Sequence, residues 1–216
     1  MRYGLLVFDW DGTLIDSAGT IVWCIQSACR DLALPVPDKA RASHVIGLGL
    51  QEALAYAVPG LPPADYGKVV ERYRKHFLER DAAIPLFEGA AAMLSQLRSR
   101  GHVLAIATGK SRAGLKRALD NTGLGHLFAA SRCADQCAPK PAPDMLLELM
   151  EELAAGESTT LMIGDTAHDL QMAAHARVPA VAVSYGAHAR ADLAARSPLA
   201  CVDSIDELSQ WLKRNA

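Results

Sequence analysis

The chain has 216 residues, half of them hydrophobic, with a formal net charge of −2. That length buries a substantial core, as one domain or one domain carrying a smaller insert, and the scattered, nearly balanced charges exclude any bulk pull toward nucleic acid or membrane. Five cysteines, odd in number and without CxxC spacing, argue against a disulfide scaffold and for a reducing cytoplasm.

Residues 4–8 form a continuously apolar run, broken at once by Asp9 and Asp11. It is too short for a signal peptide, and no apolar run reaches the length of a membrane span. A strand buried on both faces fits it better. The stretch 16–85 then shows helical spacing (Ile21, Ile25, Ala28, Leu32; Val69, Val70, Tyr73, Phe77) punctuated by prolines, with no convincing strand. Beyond it helix and strand alternate. A helix is predicted over 90–100, closed by Gly101, and a strand over 103–107. Helical patterns at 115–119 and 145–153 precede a strand at 160–163, a helix at 170–176 and a strand at 180–184. The pattern predicts an α/β protein: a Rossmann-like, doubly wound parallel sheet built from 1–15 and 86–216, with a helical cap inserted at 16–85.

Four motifs stand at predicted strand ends, where open α/β sheets bind ligands. The first is Asp9-Trp10-Asp11-Gly12-Thr13-Leu14-Ile15-Asp16-Ser17. Two carboxylates two residues apart, leaving a strand into a Gly-Thr turn, point out of the sheet edge together, so that one can attack while the other moves protons. A bare DxDG would be an ordinary turn stabilised by Asp side chains; the strand before it and the Thr-Leu-x-Asp-Ser after it favour chemistry. The second is Thr108-Gly109-Lys110, a hydroxyl and backbone N–H suited to a phosphoryl oxygen. A Walker loop would need glycine where Leu104 stands, so that reading fails. The third is Lys140 between Pro139 and Pro141, an ammonium held by a rigid frame. The fourth, Gly164-Asp165-Thr166-Ala167-His168-Asp169, offers carboxylates suited to Mg²⁺. For Asp169, direct ligation and a helix N-terminal role favoured by the dipole both stand.

In these four motifs, in this order and over essentially the whole chain, the sequence resembles the haloacid dehalogenase-like hydrolases, and within them the phosphoglycolate phosphatase-like branch. The resemblance implies a Mg²⁺-dependent phosphatase acting on a small phosphate ester through an aspartyl-phosphate. It makes Asp9 the nucleophile and Asp11 the general acid/base. Metal would be held by Asp9, the Asp11 carbonyl and Asp165, with Asp169 acting through water or by orienting its neighbours. Thr108, Gly109 and Lys140 would hold the phosphoryl group. Asp11 argues for phosphoryl transfer, because dehalogenases that attack carbon lack it. A β-phosphoglucomutase-type sugar phosphomutase is weakened by the missing cap arginine near Gly47-Leu48-Gly49-Leu50. Pyrophosphatase activity stays open, and a non-catalytic binding protein on the same fold would turn over no phosphate ester at all. The cap is expected to open and close about 16–19 and 81–88, because an aspartyl-phosphate must be shielded during transfer and later reached by water.

Other residues carry less. His44, His168 and His175 show no zinc spacing and are read as surface or polar groups. Cys133 and Cys137 are expected to share a helix face as unreactive thiols. Gly47-Leu48-Gly49 reads as a helix start that by resemblance faces substrate. Lys110 and Arg112, with Arg41, Lys68, Arg72 and Arg74 in the cap, are candidates for an anionic substrate.

Overall fold

The computed structural model describes residues 2–216. Six parallel strands form one sheet: β1 (Leu5–Phe8), β2 (Val103–Thr108), β3 (Ala130–Cys133), β4 (Thr160–Gly164), β5 (Ala180–Val183) and β6 (Ala200–Val202), in the order β3-β2-β1-β4-β5-β6. Its register sets Phe8 beside Ile106 of β2 and Ile163 of β4, so the ends of the three central strands are level. The chain winds outward from β1 to β3, then returns to continue from β4 on the other side. The reversal falls between β1 and β4, which is where a doubly wound sheet leaves a crevice beyond its strand ends.

Apolar residues alternate between the sheet's two faces. Leu6, Phe8, Leu104, Ile106, Leu161 and Ile163 pack with Met93 and Leu97 of α5 (Ala90–Ser99), Leu115 of α6 (Arg112–Thr122) and Leu208 and Leu212 of α10 (Ile205–Asn215). Leu5, Val7, Ala105, Ala107 and Met162 pack with α7 (Asp144–Glu152), α8 (Ala167–His175) and α9 (Arg190–Ala194) on the opposite face. Coverage on both sides is why the central strands are apolar throughout.

Between β1 and α5 lie only helices: α1 (Ala18–Asp31), α2 (Lys39–His44), α3 (Leu50–Ala57) and α4 (Tyr66–Leu78), with short 3₁₀ turns at Pro63–Asp65 and Asp81–Ala83. They share an apolar cluster of their own that includes Ile21, Ile25, Leu54, Val69 and Phe77. The two connections to the sheet run side by side, with Ile15 bridging Leu86 and the Asp16 amide donating to the Pro85 carbonyl at 2.9 Å. Gly49 is the N-cap of α3, as its sequence predicts. No helix among the described residues is long and apolar enough to cross a membrane.

The structure corrects one expectation here. Cys133 closes β3 and Cys137 lies in the turn after it, so the two share no helix face; the Cys137 thiol points back to the Cys133 carbonyl, Sγ to O 3.9 Å. Burial pushes the Cys133 thiol up to about 11, against a smaller opposing pull from Arg112, which keeps it in the unreactive thiol form.

Candidate active site

Each sequence motif ends a strand, and the level ends bring them together. Asp9 follows β1, Thr108 ends β2, and Asp165 follows β4. Lys140, from the loop before α7 with a cis peptide to Pro141, is 1% exposed although it is a lysine. Its Nζ lies 2.7 Å from Asp9 Oδ1 and 2.6 Å from Asp169 Oδ1. Oxygens of Asp9, Asp165 and Asp169 all lie within 4.8 Å of one another.

Local chemistry fixes these carboxylates. Asp169 stands at the third position of α8 in a capping box: its Oδ2 accepts from the Thr166 amide at 3.0 Å and hydroxyl at 2.7 Å. Asp165 accepts from the Thr13 hydroxyl at 2.8 Å and the Ala187 amide at 2.7 Å. Its pocket is tight enough that a Cβ on Gly12 or Gly186 would run into the carboxylate, and Gly12 also has φ +78°. Asp9 Oδ2 is buried with no hydrogen-bond partner.

Three buried carboxylates around one ammonium leave excess negative charge. Burial pushes Asp9 up to about 7; Lys140 opposes this while Asp169 and Asp11 add to it. Asp165 is held well above the usual carboxylate range by burial, then by Asp9 and Asp169, against the pull of its two donors. Burial works against the charge of Lys140, but Asp169 and Asp9 outweigh it and keep the ammonium. An unpartnered Asp9 oxygen within an all-oxygen acidic set fits a hard divalent cation.

Asp11 lies at the mouth of this cluster. Its Oδ1 accepts from the Ser17 hydroxyl at 2.7 Å and pairs with Lys110 Nζ at 3.0 Å. The same ammonium stands 4.5 Å from the centre of the Phe77 ring on α4, so Lys110 links Asp11 to the helical segment. Thr108 is fully buried; its Oγ1 accepts from the Lys110 amide at 3.2 Å, leaving its own proton free to donate. Gly109 is a place of close approach, because a Cβ there would stand 2.6 Å from the Gly47 carbonyl oxygen.

Several of these contacts join residues far apart in the sequence. Ser17 was readable, since it ends the first motif. Lys110, the end of the second motif and a candidate for an anionic substrate, meets Asp11 instead. A histidine joint was not legible: His168 Nε2 and His188 Nε2 both meet the His44 carbonyl, at 2.8 and 3.1 Å, and His188 Nδ1 accepts the Ala167 amide at 3.0 Å. Burial, and then His168, push His188 down to about 4, so it stays neutral and these nitrogens tie the end of α2 to the sheet rather than remaining open to a metal. Among the proposed cap cations, Arg74 lines the cavity facing Asp11, whereas Lys68 pairs with Asp65 and Arg41 stands over Tyr56. Arg112 is spent on Ser131 and Gln136.

Level strand ends thus bring an acidic cluster, a buried lysine and a second aspartate to one edge of the sheet. The family model described as haloacid dehalogenase-like hydrolase matches residues 6–183, and the chain belongs to that family. Among its relatives, "Probable phosphatase IndB" of Dickeya dadantii is 37% identical over 94% of this chain and 91% of its own length. "Tyrosine-protein kinase PtkA" of Mycobacterium tuberculosis is 32% identical over 96% of this chain and 72% of its own. "Phosphoglycolate phosphatase" of Rhodospirillum rubrum is 31% identical over 96% and 90%. A crystal structure described as a predicted phosphatase from Clostridium acetobutylicum is 25% identical, covers 99% of this chain and 100% of its own, and superposes with a TM-score of 0.88.

Proposed function

We propose that the chain is a Mg²⁺-dependent phosphatase that hydrolyses a small phosphate ester through an aspartyl-phosphate on Asp9, with residues 16–85 acting as a cap over the core formed by 1–15 and 86–216. One observation carries this reading above the others: Asp9 is buried at the strand ends with one oxygen on Lys140 and the other without a partner, grouped with Asp165 and Asp169, while Asp11 two residues on lines the crevice. Phosphatase names among the relatives support it. Free thiols, three of them buried, suit a reducing compartment, taken here to be the cytoplasm.

In the first half-reaction an Asp9 oxygen attacks phosphorus, the bond from phosphorus to the ester oxygen breaks, and Asp11 gives that oxygen its proton. In the second, Asp11 takes a proton from water, the water oxygen attacks phosphorus, and Asp9 leaves as carboxylate. Thr108, the Gly109 backbone and Lys140 hold the phosphoryl oxygens, and Lys140 also keeps Asp9 in place. Ser17 and Lys110 fix Asp11. Asp9 and Asp165, with the Asp11 carbonyl, would hold the ion; Asp169, whose oxygens already meet Lys140 and Thr166, sets the lysine's position. Bound there, Mg²⁺ supplies charge neutralisation between an anionic carboxylate and an anionic ester.

Asp11→Asn is expected to cut turnover by roughly 10²–10⁴-fold, since it removes the proton carrier while an amide oxygen can still accept from Ser17 and Lys110. Phosphate release from a metabolite panel with Mg²⁺ checks this and the class. Sugar-phosphate isomerisation without release, or phosphoryl transfer from ATP to tyrosine, would replace the hydrolase reading. Metal should also act on stability. The folded pKa of Asp9 is raised, so its contribution is fully present below its ordinary value and is lost as pH rises through about 7. Added Mg²⁺ should therefore raise Tm by several degrees at about pH 8 and much less at about pH 5, where protons occupy the same oxygens. Equal gains at both pH values would contradict ligation by this acidic cluster.

A further inference from the structure

The crevice above Asp11 widens into a cavity of about 720 Å³ between the helical segment and the sheet. A phosphoryl group with two carbons fills only a small part of it. Much of the lining is apolar. Tyr73 and Phe77, one turn apart on α4, stack with ring centres 5.8 Å apart and planes at 21°, and Leu48, Leu50 and Val70 continue the surface. This surface is apolar and partly aromatic, with the Lys110 ammonium 4.5 Å from the centre of the Phe77 ring, and Tyr73 stands near enough to Asp11 that the carboxylate helps, after burial, to hold its phenol un-ionised.

The cations that line the cavity are mostly occupied. Lys110 is held between Asp11 and Phe77, and Arg117 pairs with Asp81 at 3.2 Å. Glu52 and Asp135 add negative charge to the lining. Arg74 is left, and like Glu52 and Asp135 it is an exposed side chain at the rim rather than one buried in the wall. A second anionic group on the substrate would therefore meet apolar carbon, two exposed carboxylates and one exposed arginine, and its desolvation would be poorly compensated. An uncharged apolar group would displace water from the same surface at a gain.

We propose that the ester taken by this site carries an uncharged apolar or aromatic group of phenyl size or larger, seated against Tyr73, Phe77 and Leu48, in place of a carboxylate. The proposal rests on the phosphatase reading above and narrows it to a substrate class. Because aryl phosphates are intrinsically reactive, the test uses three primary alkyl esters: 2-phenylethyl phosphate, ethyl phosphate and 2-phosphoglycolate. With Mg²⁺ present, kcat/KM for 2-phenylethyl phosphate should exceed that for each of the other two by about 10- to 100-fold, the range expected for burying one phenyl group. Tyr73→Ala should erase most of that preference while Tyr73→Phe retains it, and Leu48→Lys should shift the ratio toward 2-phosphoglycolate. Thermal melts confirm that each variant is folded. Equal rates for the three esters, or a preference for 2-phosphoglycolate, would overturn the substrate class and leave the hydrolase standing. Release from none of the three, nor from p-nitrophenyl phosphate, would overturn the hydrolase and the substrate class with it.

Discussion

Asp9→Asn should lower phosphate release by at least about 10⁴-fold, the scale seen when a covalent nucleophile is removed. The substitution is nearly isosteric, so the fully buried side chain still fits and its amide oxygen can still accept from Lys140, now bonded to Asp9 Oδ1 at 2.7 Å. The amide nitrogen then takes the place of Oδ2, the oxygen without a partner, and turns a donor toward the position suited to a cation. Two measurable effects should separate. Metal-free stability should hold or rise, because one of three mutually repelling carboxylates has lost its charge. The gain in Tm on adding Mg²⁺ should shrink, because a ligand is missing. Turnover within about tenfold of the parent would mean that another group attacks phosphorus.

That prediction rests on residues legible in the sequence, and the reason is geometric. Asp9, Thr108 and Asp165 each stand at the end of a strand buried on both faces, so an apolar run marks the strand and the polar residue after it marks the edge. Edge strands lack that signature. β3 reads Ala-Ser-Arg-Cys and has one face half open, and β6 is three residues long, so neither gives a continuous apolar run. The last helix, α10, does carry a local signal: Ile205, Leu208 and Leu212 keep helical spacing behind a Ser204 cap. Contacts between distant segments are a different matter. Nothing in the order of residues says that the Lys110 ammonium reaches Phe77, or that His188 meets the His44 carbonyl 144 positions away. Such pairs arise only once the helical segment has docked against the sheet edge. The Cys133 and Cys137 pair fails for a related reason, since four-residue spacing carries meaning only inside a helix, and a strand end intervenes.

Lys140→Met tests the electrostatic core of the site, because methionine keeps most of the lysine's volume and removes only its charge. Lys140 sits between Asp9 and Asp169 at 2.7 and 2.6 Å, with both partners buried. Breaking a buried pair by deleting one member leaves the other charge unsolvated, at a cost of about 3–5 kcal/mol, well above the spread of ordinary surface substitutions. The carboxylates can escape part of this by taking up protons. Lys140 now opposes the rise in the pKa of Asp9, so its loss should carry that pKa beyond about 7. A raised carboxylate stabilises the fold only below its ordinary pKa and loses that contribution as pH rises, so the penalty should be near full at about pH 8 and much smaller at about pH 5. Denaturant unfolding at the two pH values reads this directly, with activity expected to fall by at least about 10³-fold from the loss of phosphoryl contact and nucleophile positioning. A penalty of equal size at both pH values would assign Lys140 to packing alone, and the acidic cluster would then need some other source of positive charge to remain ionised.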